Sequence, residues 1–216
     1  MNLVIIDYGL CNLLSVHNAL KFLGIEARIS SDPADLKRAD AAILPGVGAF
    51  EDGMKGLRQK GLVEPVRDFV KTGRPFLGIC LGAQMLLERS FEFGEHQGLG
   101  LIPGEVSPLK NILPSDLRVP HIGWSGLHPA ALPWEGTALE GLPKGVEMYF
   151  VHSFYLDPAD QKHVLARAQY GPEDFCAVLA KDNVYGCQFH PEKSAAMGLK
   201  FLNNFVSLAK GSACRP

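Results

Sequence analysis

Short apolar runs alternate with amphipathic stretches through the first half of the chain. Continuous apolar runs are typical of strands buried on both faces, whereas alternation of apolar and polar residues is typical of half-buried strands. These patterns predict strands over residues 3–6, 25–29, 41–44 and 75–79. Helices are predicted over residues 12–23, where Gly24 ends the helix, and over residues 63–71 and 81–89. A further short helix is predicted to follow the N-cap at residues 31–33. This alternation predicts a parallel sheet with helices on both faces.

The second half has a different pattern, in which short strands are separated by Gly, Pro and Asp. Strands are predicted over residues 106–109, 119–122, 148–154, 164–169, 176–180 and 184–188. Several of them are expected to pair antiparallel. The amphipathic residues 195–208 predict a closing helix, and the Pro- and Gly-rich residues 127–145 predict a long connection. The expected fold class is α/β, with a mixed, mostly parallel central sheet and antiparallel additions in the second half.

Composition narrows the classes of protein that fit. The chain has 216 residues, which suits one domain spanning 1–216. Lys and Arg number 21 against 23 Asp and Glu, so the net charge is −2 and no nucleic-acid partner is expected. No run approaches the roughly 18 apolar residues of a membrane span, and the first residues predict a strand rather than a signal peptide. The five cysteines are widely spaced without a Cys-x-x-Cys, which favours a reducing cytoplasm.

The segment Gly78-Ile79-Cys80-Leu81-Gly82 places a cysteine between a predicted strand and a predicted helix. It is the cysteine counterpart of the nucleophile elbow, a sharp turn that presents a nucleophile above a sheet. A helix N-terminus favours a thiolate, and the amide of Leu81 can face a developing oxyanion. A structural cysteine at a helix start is the alternative for this segment alone.

His190-Pro191-Glu192 follows the last predicted strand. Proline favours extended backbone at His190, and residues two apart in extended backbone project to the same side. Glu192 can then hold the imidazole while its other nitrogen exchanges a proton with a thiol. For this motif alone, a histidine at a strand end beside a surface glutamate is the alternative. Together with Cys80, these residues supply a nucleophile, a base and an orienting carboxylate.

The loop Pro45-Gly46-Val47-Gly48 follows a central strand at the sheet edge where ligands bind in open parallel sheets. Val47 or Gly48 could therefore supply a second oxyanion donor, and a plain turn at the end of the strand is the alternative for this loop alone. Cys187 and His190 are three apart on a strand and face opposite sides, so no zinc site is predicted. Gly98-x-Gly100 lacks the third glycine of a dinucleotide fingerprint. Neither a metal nor a cofactor is expected.

These motifs together resemble the class I glutamine amidotransferases. Within that class, the further segments resemble the glutaminase subunits of imidazole glycerol phosphate synthases. Those segments are DYGLCN (7–12), PGVG (45–48), VPHIGW (119–124), YFVHSF (149–154) and HPEKS (190–194). The resemblance covers almost the whole chain and implies a flavodoxin-like fold.

The resemblance also implies a role for individual residues. The implied catalytic residues are Cys80, His190 and Glu192, with Val47 and Leu81 as the oxyanion hole. Gly48, Gln84, Ser153 and Phe154 would bind glutamine, and Asn12, His121, Trp124 and Lys193 would lie at a partner interface. A half-buried position in the core is the alternative for Trp124. Three positions depart from the family pattern, with Cys11 where glycine is usual, Ser125 where asparagine is usual and Phe154 where tyrosine is usual.

The activity implied by the resemblance is hydrolysis of glutamine to glutamate and ammonia, which then passes to a cyclase in histidine biosynthesis. The cyclase would be a separate (β/α)8-barrel subunit in a heterodimer, since no barrel fits in this chain. Two alternatives share the triad: a related amidotransferase that supplies another synthase, and a stand-alone γ-glutamyl hydrolase. Intact triad residues argue against a non-catalytic subunit.

Overall fold

The computed structural model describes residues 1–10, 12–130 and 132–212; Cys11 and Cys214 lie outside them. The strands of the first half are β1 (Leu3–Ile6), β2 (Ala27–Ser30), β3 (Ala41–Gly46), β4 (Phe76–Cys80), β5 (Arg89–Ser90) and β6 (His96–Gln97). Those of the second half are β7 (Gly104–Pro108), β8 (His121–Pro129), β9 (Glu147–His152), β10 (Phe154–Pro158), β11 (Val164–Tyr170), β12 (Glu173–Lys181) and β13 (Val184–Cys187). The helices are α1 (Leu13–Phe22), α2 (Pro33–Arg38), α3 (Phe50–Gln59), α4 (Val63–Lys71), α5 (Leu81–Gln84) and α6 (Ala195–Ser212).

A five-stranded parallel core occupies one side of the sheet, in the order β2-β1-β3-β4-β13. The strand β13 comes from the far end of the chain and pairs parallel with β4, where Gly186 lies opposite Gly78. Because the carboxyl ends of parallel strands share an edge, Cys80 and the residues after β13 come to the same edge of the sheet.

The sheet continues beyond β13 with strands from the second half, in the order β12-β10-β7-β5-β6. Pairing is antiparallel between β13 and β12, β12 and β10, and β10 and β7. The strands β11, β8 and β9 branch from β12 and pair antiparallel with one another. The predicted α/β fold, with parallel strands and antiparallel additions, is confirmed.

Helices cover both faces of the parallel core. On one face, Leu3 and Ile5 of β1 pack in a cluster with Leu20 of α1 and Phe205 of α6. On the other face, Val4 and Ile6 pack in a cluster with apolar side chains of α2, α3, α4 and α5. This alternation of faces along β1 explains its continuous apolar run. Within the described ranges, no helix is both long and apolar enough to cross a membrane.

The helix predicted over residues 81–89 is wrong in its length, because α5 ends at Gln84. The backbone carbonyls of Met85, Leu86 and Leu87 accept N–H groups from residues 99–102 instead of from the next helical turn. Met85 and Leu86 are nevertheless buried, as predicted. Contacts with a later segment therefore end this helix.

The pattern also missed the helix α3, which contains Gly53 and Gly56. Glycine is unfavourable inside a helix, but here it allows close packing. A Cβ at Gly56 would lie 2.5 Å from the carbonyl oxygen of Tyr8, and one at Gly53 would lie 2.8 Å from Sδ of Met85. The helix is therefore stabilised by tertiary contacts rather than by its intrinsic propensity.

Candidate active site

Cys80 lies at the junction of β4 and α5 with a left-handed backbone, φ 52° and ψ −110°. This conformation is costly for a residue other than glycine, and such strain is concentrated at functional sites. A Cβ at Gly78 would lie 2.6 Å from the carbonyl oxygen of Gly82, and one at Gly82 would overlap the carbonyl oxygen of Leu44. Both flanking glycines are therefore required for α5 to pack against the sheet, and the turn presents Cys80 at the sheet edge.

The backbone beside Cys80 offers hydrogen-bond donors. Leu81 is the first residue of α5, and N–H groups in a first helical turn have no partner within the helix. Gly46 lies directly opposite Cys80 in the pairing of β3 with β4. A Cβ at Gly46 would lie 2.9 Å from the amide nitrogen of Gly82, so the loop that carries Val47 packs tightly against the start of α5.

His190 follows β13 and is paired with Glu192. The distance from His190 Nδ1 to Glu192 Oε1 is 2.9 Å, and the two side chains are only 2% and 1% exposed. His190 has the predicted extended backbone, whereas Glu192 reaches it from a 3-10 turn, Pro191–Lys193. The carboxylate therefore fixes the ring so that Nε2 is the nitrogen left for chemistry.

Hydrogen bonds tie the turn after His190 to β9. The His190 amide donates to the carbonyl of Tyr149 over 2.9 Å. The amide of Tyr149 donates to Oγ of Ser194 over 2.9 Å, and that hydroxyl donates to the carbonyl of His190 over 2.7 Å. This closed ring of bonds sets the position of His190 relative to β9.

The electrostatic environment of His190 favours its protonated form. Burial lowers the pKa of its imidazole, but interactions with Cys80 and Glu192 outweigh burial and raise that pKa to about 10. Nε2 is buried and makes no hydrogen bond of normal geometry to the residues that the structure describes. The arrangement therefore suits a charged imidazolium whose Nε2 proton is available for chemistry in the cavity.

A cavity of about 310 Å³ opens beside Cys80 and His190. The other predicted site residues that line it are Val47, Gly48, Leu81, Gln84, Ser153 and Phe154. Gly48 has a φ of 101°, a conformation that glycine adopts without strain. Gln84 donates from Nε2 to the backbone carbonyl of Phe154 over 3.1 Å. That contact does not involve the Phe154 ring, so the departure from tyrosine leaves it intact.

The sequence patterns missed two polar residues of this region, Glu92 and Gln188, and placed a third, His152, next to the site without a role. Glu92 lines the cavity, and its Oε2 accepts the amide of Phe50 over 2.7 Å. His152 also lines the cavity. Gln188 is fully buried and donates from Nε2 to Sγ of Cys80 over 3.7 Å. Of the two missed residues, only Gln188 carried a usable signal, because it lies two residues before His190.

The residues predicted at a partner interface differ in exposure. Trp124 is 49% exposed and packs its inner side against Tyr149, so it is a surface residue rather than a core residue. Lys193 is exposed, and Asn12 lies at the start of α1, after β1. The prediction for His121 is wrong, because this side chain is only 2% exposed and is enclosed by aromatic rings. Strand alternation explains the difference, since His121 faces the interior and Trp124, three residues on, faces outward.

The environments of Cys176 and Cys187 differ from that of Cys80. Both are free and buried, and neither lines the cavity. Burial raises the pKa of Cys176 to about 12 and raises that of Cys187 well above its usual range. The described parts of the chain contain no group of three or more His, Cys, Asp or Glu side chains suited to a metal ion.

Sequence comparison places this arrangement among known proteins. The family model described as glutamine amidotransferase class-I matches residues 4–208. The chain is 45% identical over 208 residues to imidazole glycerol phosphate synthase subunit HisH 1 of Legionella pneumophila (strain Lens), covering 94% of this chain and 98% of that one. It is 47% identical over 214 residues to the subunit HisH of Aquifex aeolicus, covering 97% and 98%.

Solved structures share the fold at lower identity. One described as a glutamine amidotransferase has a TM-score of 0.73 and 24% identity, covering 96% of this chain and 98% of that one. PurLQS from Thermotoga maritima has a TM-score of 0.72 and 20% identity, covering 95% and 97%. At this identity the likeness describes the fold alone.

Proposed function

The chain belongs to the class I glutamine amidotransferase family, and on that premise we propose that it is the glutaminase subunit of an imidazole glycerol phosphate synthase. The observation that carries the proposal is the shared cavity of Cys80 and His190, with Glu192 holding the imidazole from behind. Relatives named as this subunit, at 45% and 47% identity over almost the full length, support the assignment. The proposal treats residues 1–216 as one glutaminase domain.

The proposed reaction begins with the thiolate of Cys80, which attacks the side-chain carbonyl carbon of glutamine. The amides of Leu81 and Val47 stabilise the oxyanion that forms. As the C–N bond breaks, His190 gives its Nε2 proton to the nitrogen, which leaves as ammonia, and a glutamyl thioester remains. Water then attacks the thioester, His190 takes the proton from that water, and the C–S bond breaks to release glutamate and regenerate the thiolate.

Recognition of the amino-acid end of glutamine is assigned to the polar side of the cavity. Gln84, Ser153 and Glu92 line this side, together with Gly48 and the backbone of Phe154. The carboxylate of Glu92 suits the substrate ammonium group, because charge-assisted hydrogen bonds are about twice as strong as neutral ones. The Glu92 oxygen that accepts the Phe50 amide fixes the carboxylate in place.

The partner in this proposal is a (β/α)8-barrel cyclase that forms a heterodimer with this chain. Exposed apolar side chains occur on the elements around the cavity, namely Val47, Val119, Ile122 and Trp124. Val47 lines the cavity itself, and Val119 precedes Pro120, which also lines it. A partner that covers this surface would receive ammonia without its loss to water. Asn12 and Lys193 are assigned to the same interface, and the reaction to a reducing cytoplasm that keeps the Cys80 thiol free.

The test is ammonia release from glutamine by the full chain, alone and with a candidate cyclase and its phosphorylated ribulosyl substrate. The expected result is slow turnover alone and a large increase with the cyclase and its substrate, abolished in a Cys80→Ala chain. Full activity from the chain alone would indicate a stand-alone hydrolase. Activation only by a different synthase would indicate a related amidotransferase.

A further inference from the structure

A buried pair of histidines lies behind the cavity. His121 of β8 and His152 of β9 are directly paired across the two strands, and Nδ1 of His121 is 3.1 Å from Nε2 of His152. The ring of His121 is stacked between those of Phe150 and Tyr170, at centroid distances of 5.3 and 4.2 Å. These rings hold His121 in one orientation, so the hydrogen bonds of its two nitrogens are well defined.

The carbonyl of Phe154 sets the direction of these hydrogen bonds. His152 Nδ1 lies 2.9 Å from this oxygen, which can only accept, so Nδ1 carries the proton. Burial lowers the pKa of His152 to about 3 and that of His121 to about 4, so both rings are neutral near pH 7. Nε2 of His152 is then an acceptor, and His121 must donate to it from Nδ1.

The hydroxyl of Ser125 is the last group in this chain of hydrogen bonds. With its proton on Nδ1, His121 presents a lone pair on Nε2, and Oγ of Ser125 lies 3.2 Å from that nitrogen. The same hydroxyl lies 3.1 Å from the carbonyl oxygen of Gln169, and it has one proton for two acceptors. A proton directed to Gln169 would leave the buried Nε2 of His121 without a donor, so the neutral pair requires it at His121.

The Phe154 carbonyl also orders the amides that lead to the thiol. It accepts Nε2 of Gln84 over 3.1 Å, and the same Gln84 nitrogen donates to Oε1 of Gln188 over 3.2 Å. Gln188 therefore turns its own Nε2 toward Sγ of Cys80, at 3.7 Å. All of these side chains are buried, so none can exchange its partner freely with water.

We propose that Ser125 is a positioning residue for the glutamine site. Its hydroxyl donates to the Nε2 lone pair of His121, and the histidine pair in turn donates to the Phe154 carbonyl that orients Gln84 and Gln188 beside Cys80. This inference rests on the proposed function, because it assigns Gln84 and Cys80 to glutamine binding and hydrolysis. It also gives a role to the position at which the sequence departs from asparagine.

Removing the hydroxyl has a defined consequence. In Ser125→Ala, the buried Nε2 of His121 loses the donor that Ser125 supplies and becomes an unpaired polar atom. The Phe154 carbonyl still requires the proton of His152 on Nδ1, so the histidine pair can find another donor for this Nε2 only by moving. Such a movement disturbs that carbonyl and Gln84, so we expect about a fivefold loss of kcat/KM for glutamine, the effect of one buried hydrogen bond.

The first test reads the tautomers without any need for turnover. Nitrogen-15 spectra of histidine side chains in the full wild-type chain near pH 7 should show Nδ1–H and an unprotonated Nε2 for both His121 and His152. In Ser125→Ala, the nitrogen-15 signal of His121 Nε2 should shift because this nitrogen loses its donor, and Ser125→Thr, which keeps the hydroxyl, should restore it. Ser107→Ala is the matched control, because Ser107 is equally buried at 9% exposure but lies on β7, outside this network.

The second test measures kcat and KM for glutamine in the complex with the cyclase. We expect Ser125→Ala to raise KM more than it lowers kcat, with recovery in Ser125→Thr and wild-type constants in Ser107→Ala. A protonated Nε2 on either histidine of the wild-type chain would overturn the inference. An unchanged His121 Nε2 signal and unchanged kcat/KM in Ser125→Ala would also overturn it. If the wild-type chain has the expected tautomers but hydrolyses no glutamine, the result would contradict the proposed function and not this inference.

Discussion

Glu192 holds His190 from inside the protein, through a 2.9 Å contact between Oε1 and Nδ1. Both side chains are almost completely buried, so the carboxylate acts on the imidazole with little screening by water. The contact turns Nε2 of His190 away from Glu192 and leaves it for the thiol. The pair therefore places a proton donor at Cys80 that stays charged at neutral pH.

The two members of this pair should differ in their effect on catalysis. His190→Ala removes the proton carrier and should lower kcat by about four orders of magnitude or more. Glu192→Gln keeps a hydrogen-bond partner but loses the charge that stabilises the imidazolium, so about two orders are expected. Glutaminase kinetics of both variants in the complex with the cyclase would show which variant loses more activity. Full activity in either variant would contradict the triad.

Cys80 should be the cysteine that reacts with an electrophilic glutamine analogue. Cys80→Ala should lose glutamine hydrolysis by several orders of magnitude while circular dichroism and Tm show a folded chain. Cys176→Ala serves as the control and should keep its activity, since Cys176 is buried and does not line the cavity. Peptide mapping after labelling would identify the modified residue, and a label on Cys176, Cys187 or another cysteine would refute the assignment.

Gly82→Ala should destabilise the fold. The added methyl group would overlap the carbonyl oxygen of Leu44, which belongs to the rigid strand β3. Overpacking of this kind costs about 1–3 kcal/mol or more in free energy of unfolding. Gly211→Ala is the matched control, because nothing lies within 4 Å of its added Cβ on the helix α6. Urea unfolding compares the two, and equal stability of both variants would contradict the close approach at Gly82.

The free energy of unfolding should fall below pH 6.5. Burial lowers the pKa of His152 to about 3 and of His121 to about 4, whereas both groups titrate near 6.5 in the unfolded chain. Between these values only the unfolded state binds the protons, so acid favours unfolding, at about 1.4 kcal/mol per pH unit for each group. Urea unfolding between pH 7 and 4 should show a steeper loss in the wild-type chain than in a His121→Asn, His152→Asn double variant. Parallel slopes would indicate that the pair is not buried in its neutral form.

Trp124→Ala should weaken binding to the cyclase more than it weakens the fold. Trp124 is half exposed, and aromatic residues of this kind are common binding hot spots. We expect Kd to rise about tenfold or more, with only a small change in Tm of the lone chain. Phe22→Ala is the control, because Phe22 is exposed at the end of α1 that lies away from the catalytic sheet edge. Equal Kd values for the two variants would place the interface elsewhere.

Features that depend on neighbouring residues were predictable from the sequence. The apolar run over residues 3–6, the helix over residues 63–71 and the elbow at Cys80 each follow from a local pattern of side chains and glycines. The same holds for His190 and Glu192, because two residues separated by a proline have few relative geometries. Residue types and spacing therefore determined the fold class and the family, and they predicted the residues of the candidate site.

Other features depended on segments far apart in the chain. The end of α5 at Gln84 is set by hydrogen bonds from residues 99–102, and Glu92 lines the cavity from the turn after β5, a short strand that pairs with β7. His121 is buried while Trp124 is exposed, although both lie on β8. Gln188 contacts Cys80 because β13 joins the sheet beside β4. Only the tertiary structure decided these points. Burial and hydrogen-bond partners depend on which distant strands become neighbours, and the local sequence pattern does not specify that pairing.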